Sequence, residues 1–243
     1  MPFDVLSIAQ HCLTVGQLIS RLHLSQEQID DIEKSTRGQA DNPKWHLARK
    51  GRLTASNFYR IHTRMETLKS NPGTDLSKLV KSILNPDDIS NLPAIQHGKK
   101  MEPQAVSFLM QLLKRSHTNV KFQECGLYVD GKMPYLGASP DGVVTCDCHG
   151  VMLVEVKCPS RKLEDCDFLS EGRLREKHRY YGQVQGQMMV TGIMASYFLA
   201  YLSEEDYRLD VVQYDTDFCE GMRMNLSRFY CDMIAPCLLN KAG

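Results

Sequence analysis

Apolar residues recur at helical spacing along the first half of the chain and switch to strand spacing near residue 120. Leu6 to Glu33 reads as two short helices, with Val15, Leu18, Ile19 and Leu22 on one face. Ser25 followed by Gln28 is a capping-box pair that starts the second of them. The polar stretch STRGQADNPK is a connector, and a further helix starts near Pro43 with Trp45, Leu47 and Ala48. Thr54 to His62 is another helix, with Thr54 or Ser56 at its start. Residues 66–94 are read as loop-rich, because Asn71-Pro72-Gly73 and Asn85-Pro86-Asp87 break any pattern. A long helix follows over His97 to Ser116, with Ala105, Phe108, Leu109, Leu112 and Leu113 as its stripe. Pro103 leaves its first turn open, since proline belongs near a helix start or at a kink.

The second half predicts strands at Val120–Val129 and Tyr135–Ala138, joined across Asp130-Gly131. Val143-Val144 and Val151–Val156 flank the polar turn Cys146-Asp147-Cys148-His149-Gly150. A helix over Tyr180–Val190, strands over Ser196–Leu202 and Leu209–Tyr214, and a helix over Asp217–Ala235 complete the order. The fold class this implies is α/β, a mixed sheet flanked by helices. The 243 residues fit one large unit, and the apolar fraction of 42% suffices for its core.

Charge and cysteine content narrow the picture without naming a function. Twenty-nine basic residues balance 29 acidic ones, so attraction to a polyanion must come from local patches or a bound metal. No run approaches the roughly 18 apolar residues of a membrane span, and the N-terminus lacks the pattern of a secretory signal. The nine cysteines are odd in number and scattered, which argues for a reducing, intracellular compartment, nuclear or cytoplasmic.

The chemistry is concentrated in GASPDGVVTCDCHGVMLVEVKCP, residues 137–159. Strand alternation puts Glu155 and Lys157 on one face and Val154 and Val156 on the other. An acid and a base two apart on an apolar strand must be paired or bind a metal. Asp141, in the turn before the hairpin, can come beside Glu155, and a divalent cation would relieve the repulsion of the two carboxylates. Mg²⁺ suits an open oxygen site, with Mn²⁺ as its expected substitute. Lys157 would then orient or deprotonate a metal-bound water and offset charge on a phosphate. Cys146, Cys148 and His149 offer three zinc ligands at the hairpin tip, but no second cysteine pair stands at a fitting spacing. Cys125 is the fourth ligand considered, and the preferred reading is a plain polar tip. Alternation points Cys158 away from the reactive face, against a cysteine nucleophile.

Four blocks in order, Trp45-x-x-x-Arg49 with Arg52-Leu53-Thr54-Ala55-Ser56, Gly98-x-x-x-Glu102, Ser139-Pro140-Asp141-Gly142 with Glu155-Val156-Lys157-Cys158-Pro159, and Tyr180-x-x-Gln183-Val184-Gln185, carry a resemblance. The chain resembles the lambda exonuclease or YqaJ-type viral recombinase branch of the PD-(D/E)xK nucleases. The resemblance implies a restriction-endonuclease-like core over residues 41–243, with residues 1–40 as a helical extension. It implies Asp141, Glu155 and the Val156 carbonyl as metal ligands, Lys157 as the catalytic lysine, and Glu102 and Gln183 as helpers at the same site. It further implies that Arg49, Ser56 and Ser139 hold a terminal 5′-phosphate, with Tyr180, on the same helix face as Gln183, as a further 5′-phosphate or DNA-binding residue. Trp45 is read as core support for its segment. Asp130, offset from the family's upstream acidic position, is read as a turn residue. The basic residues Lys44, Lys50, Arg52, Lys99, Lys100, Arg161, Lys162, Arg173, Arg175, Lys177 and Arg179 together could line a groove for the DNA backbone. The implied activity is a Mg²⁺-dependent 5′→3′ exonuclease on linear double-stranded DNA, serving recombination or end resection. The implied partners are DNA ends, a single-strand annealing protein and further copies in a homotrimer. An endonuclease of the same superfamily and a non-catalytic DNA-binding or docking module are the competing readings.

Overall fold

The structure, a computed structural model, describes residues 4–240. Three helices lead the chain: α1 (Val5–Ala9), α2 (Val15–Arg21) and α3 (Gln26–Ser35). The Ser25–Gln28 capping box is present in full, and Thr14 caps α2. The leading segment therefore forms three helices, one more than the pattern predicted. Next come α4 (Pro43–Arg49), the short β1 (Leu53–Thr54) and α5 (Ala55–Ser70). The stretch expected to be loop-rich is largely helical. Helix α5 runs on to Ser70, and α6 (Ser77–Leu84) lies between the two Asn-Pro breakers. Leu79, Val80, Ile83 and Leu84 hold α6 against the core, a local period that the flanking breakers obscured.

Helix α7 (Pro93–Ser116) contains Pro103 in its interior. After it, the single strand expected over Val120–Val129 divides into β2 (Lys121–Glu124) and β3 (Tyr128–Val129), which join different sheets. The break is made by tertiary bonds. Glu33 Oε1 accepts from the Gly126 N–H at 2.9 Å, and Thr36 Oγ1 accepts from the Leu127 N–H at 2.8 Å. Those two amides are therefore committed to α3 and its cap rather than to a ladder. Strand β4 (Leu136–Ala138) lies between β1 and β3 in a small three-stranded sheet.

The main sheet holds β5 (Gly142–Cys146), β6 (Gly150–Lys157), β9 (Ala195–Tyr201) and β10 (Tyr207–Gln213), in the order β10-β9-β6-β5-β2. Only the β6–β9 pair in it is parallel. A short hairpin of β7 (Leu169–Ser170) and β8 (Arg173–Leu174) precedes α8 (Arg179–Thr191). Helix α9 (Thr216–Phe229) passes through a π-turn at Tyr230–Ile234 into α10 (Ala235–Asn240).

Alternation along β6 decides the layers. Met152, Val154 and Val156 pack with Tyr197, Leu199 and Tyr201 against α7. Leu153 packs with Phe198 and Ala200 against Val184 and Met188 of α8. Helix α8 in turn lies on α5 through two glycines. A Cβ at Gly182 would come within 2.6 Å of the Tyr59 Cβ, and one at Gly186 within 2.4 Å of the Phe58 ring. The close crossing of these helices thus depends on the missing side chains. Helices α1 and α2 share their core with α5, α9 and α10. Among the described residues, no helix is long and apolar enough to cross a membrane.

Candidate active site

The β5–β6 register fixes the centre of the site. Gly142 pairs with Val154, so Asp141 stands beside Glu155 where the hairpin opens. The Asp141 N–H donates to the Val154 carbonyl at 3.1 Å, and Asp141 Oδ2 accepts from the Val156 N–H at 2.7 Å. The backbone of one strand therefore orients the carboxylate carried by the other. Glu155 and Lys157 share the α8 side of β6, as alternation predicted, and their side chains form an ion pair. Glu155 is 1% exposed and Lys157 22% exposed. Cys158 packs with the α7-side core, away from that face.

Helix α8 supplies the rest of the cradle. Gln183 Nε2 donates to Glu155 Oε1 and Gln187 Nε2 donates to Glu155 Oε2, each at 2.6 Å. Tyr180 lies one turn before Gln183, and Lys157 Nζ sits 4.8 Å from the centre of its ring. Gln187 did not figure in the sequence reading, because the fourth block stops at Gln185. Its signal was its spacing, four residues beyond Gln183 on the same face. Glu155 is buried, so each lost donor leaves one of its oxygens unpaired. Gln187→Met, which keeps volume and removes the donor, should lower stability by about 1–3 kcal/mol in denaturant unfolding. An unchanged midpoint would show that the bond contributes nothing.

Glu102 reaches the same place from α7. Burial and the Glu155 charge raise its carboxyl above the usual range, against the lowering influence of Lys157. Asp141 is raised well above an ordinary aspartate by burial and then by Glu155, with Glu102 adding to the effect. Burial alone would lower Lys157, but Glu155 and Asp141 outweigh it and the ammonium is held above its ordinary value. Three converging carboxyls, two of which resist ionising, and one retained ammonium make a donor set that fits a hard divalent cation.

These groups open onto a cleft of about 1390 Å³ whose walls include Glu102, Asp141, Lys157 and Tyr180. Lys99, Arg161, Lys177 and Arg179 also line it, so four of the eleven basic residues suggested for a groove meet at the site. Arg52 does not belong with them. It is 4% exposed and donates to the Pro134 and Ala48 carbonyls.

Arg49, Ser56 and Ser139 form a second cluster and are absent from the cleft walls. The Trp45 indole N–H donates to Ser139 Oγ at 2.8 Å, and the Arg49 guanidinium lies 3.9 Å from the centre of the Trp45 ring. Arg49 Nη2 lies 3.4 Å from Thr54 Oγ1, which is itself 3.4 Å from Ser56 Oγ. Trp45 packs against a small core as expected, and it also bridges two members of the cluster. Asp130 is a turn residue: its Oδ1 accepts from the Lys132 and Met133 amides and its Oδ2 pairs with Arg223 at 2.9 Å.

Comparison with known proteins identifies the family and the fold. Residues 44–194 match the model of the YqaJ-like viral recombinase domain. The fold is similar to an alkaline exonuclease from Laribacter hongkongensis, with 25% identity, TM-score 0.62, and coverage of 83% of this chain and 98% of that one. A phage-related exonuclease from Haemophilus somnus 129PT is 15% identical over 76% of this chain and 96% of its own, with TM-score 0.51. The Shutoff and Exonuclease Protein of Kaposi's sarcoma-associated herpesvirus is 12% identical over 98% of this chain and 81% of its own, with TM-score 0.58. No protein of curated function matches the sequence. With the family model spanning more than half of its length, the chain belongs to the YqaJ-like viral recombinase family and carries the PD-(D/E)xK nuclease fold.

Proposed function

We propose that the chain is a Mg²⁺-dependent 5′→3′ exonuclease that degrades linear double-stranded DNA from 5′-phosphorylated ends. The observation that carries the reading is the meeting of Asp141, Glu155, Glu102 and Lys157 at one cleft lined by further cations. Its neighbour from Laribacter is an alkaline exonuclease, which supports the same class of activity. Nucleases of this family generally use a divalent metal, and Asp141, Glu155 and the Val156 carbonyl would hold it here. The bound ion would supply a Lewis acid and an activated water. Lys157, kept as an ammonium by Glu155 and Asp141, offsets negative charge on the phosphate under attack. Gln183 and Gln187 hold Glu155 in one orientation, and Glu102 adds a third carboxyl to the cluster.

Arg49, Ser56 and Ser139 would hold the terminal phosphate by charge-assisted bonds. Burial lowers the Arg49 guanidinium to about 10, which leaves it cationic at neutral pH. In the same reading residues 41–243 are the catalytic unit, and the DNA partner is joined by a single-strand annealing protein and a homotrimeric assembly.

Digestion of linear and covalently closed duplexes tests the proposal. In Mg²⁺, linear DNA should disappear from phosphorylated 5′ ends while circles survive and chelator stops the reaction. Circles cut at a comparable rate would replace the exonuclease reading by an endonuclease one. Arg49→Ala should lower the preference for 5′-phosphate over 5′-hydroxyl ends by about tenfold or more, the loss of one charge-assisted bond. An unchanged preference would remove the phosphate pocket.

A further inference from the structure

The tip of the β5–β6 hairpin carries chemistry that cleavage does not use. Cys146, Cys148 and His149 meet a fourth side chain there, His117, which follows the last residue of α7. Their ligand atoms all lie within 4.8 Å of one another. His117 Nδ1 is 3.1 Å from Cys148 Sγ, Cys148 Sγ is 3.5 Å from Cys146 Sγ, and Cys146 Sγ is 3.9 Å from His149 Nδ1. The two imidazole centres are 4.7 Å apart. A tetrahedral zinc with two sulfur and two nitrogen ligands would space its donors at roughly 3.3–3.8 Å, given the usual zinc–ligand lengths. The observed spacings bracket that range and need only small side-chain rotations to meet it.

Cys125, the fourth ligand considered from sequence, is fully buried at another place, with its thiol towards the Gln123 carbonyl and the Tyr128 hydroxyl. The missing ligand was 29 residues before Cys146 in sequence, too far for any local spacing to reveal. The fold brings it in, and bonds other than to metal hold the two segments together. The Asp147 N–H donates to the Thr118 carbonyl at 3.1 Å, and the Asn119 amide donates to Asp147 Oδ2 at 2.6 Å. The single carboxylate of the tip is thus turned to Asn119, leaving two thiols and two imidazoles around one point. Two thiolates would neutralise one Zn²⁺, and the soft sulfur pair with two imidazoles disfavours Mg²⁺ or Ca²⁺.

We propose that His117, Cys146, Cys148 and His149 form a structural zinc site that clamps the C-terminal end of α7 to the tip of the β5–β6 hairpin. On binding, the two thiols release their protons to solvent and no electron is transferred. All four positions are filled by protein, as in closed structural sites, so no open position is left for a substrate. The site is separate from the nuclease centre: β6 starts at the tip and reaches Lys157 seven residues later, about 23 Å away at the rise of a strand. The clamp joins the two elements that carry Glu102 and Glu155, at their ends remote from the cleft.

The test is metal analysis of the whole chain, purified under reducing conditions from zinc-supplemented cells and desalted. About one zinc per chain is expected to remain, and Cys146→Ser/Cys148→Ser together should lower it to below about a tenth. Reconstitution of the parent chain with Co²⁺ should give intense tetrahedral ligand-field bands and a thiolate-to-cobalt charge-transfer band. That band reports only on cysteine ligands and is blind to the carboxylates of the cleft. His117→Ala should weaken and shift the spectrum, and an unchanged spectrum overturns the assignment of His117 as the fourth ligand. Zinc-replete protein that retains no metal, or a cobalt form without the thiolate band, overturns the proposal. So does a Cys146–Cys148 disulfide found in reduced preparations, and none of these results bears on whether linear DNA is degraded.

Discussion

Asp141→Asn should lower the rate of DNA cleavage by about 10³-fold while the chain remains folded. Asparagine can still accept the Val156 N–H, so the turn keeps its geometry and only the charge is lost. The same variant has a second, opposite signature. In the metal-free protein, Asp141 is raised well above the ordinary 3.8 by burial and by Glu155, so the native state holds its proton more tightly than the unfolded chain does. Stability from this group is therefore present at low pH and is lost as pH rises above about 3.8. Asp141→Asn has no such proton to lose. Without metal it should melt above the parent at neutral pH, and the two should converge towards pH 4. Melting curves at several pH values read this directly. Cleavage within a few-fold of the parent would refute the assignment of the site, and a parent more stable than the variant at neutral pH would refute the electrostatic account.

The second large effect is predicted far from any charge. Gly182→Ala and Gly186→Ala together should cost about 3 kcal/mol, because each new methyl enters a fully occupied contact with Tyr59 or Phe58. The gain in helix propensity, about 1 kcal/mol for each glycine replaced, opposes this and is outweighed. Phe58 is completely buried, so it cannot yield without moving α5. Any outward shift of α8 also withdraws Gln183 and Gln187 from Glu155. Cleavage should fall several-fold more than the loss of folded protein explains, as chemical denaturation and turnover on the same sample would show. A double variant as stable and active as the parent would mean that the helices have room to separate.

The centre of the site was legible because strand alternation is a strict period. Once Val151–Val156 was read as a strand, Glu155 and Lys157 had to share a face, and the fold shows which helix, α8, covers it. What stayed hidden depended on groups remote in sequence. The division of Val120–Val129 into two strands follows from side chains of α3 and its cap that bind the amides of Gly126 and Leu127. Helix α6 was masked by flanking breakers, although its apolar residues have a helical period. Arg52 reads as a surface cation in a basic run, and only its bonds to the Ala48 and Pro134 carbonyls show it turned inwards. His117 could not be joined to the hairpin tip without knowing that the end of α7 lies beside it.

The connector between α3 and α4 reads as a polar link, yet it is tied to the cleft. Gln39 Nε2 donates to the carbonyls of Cys125 and Pro140, the latter belonging to the residue before Asp141. Gln39 and Asp41 also line the cleft. A fragment cut to the family-matched segment, residues 44–194, would begin after these splints and leave the Pro140 peptide without its anchor. A piece that keeps the bond from Gln39 to the Pro140 carbonyl must therefore start upstream of Gln39.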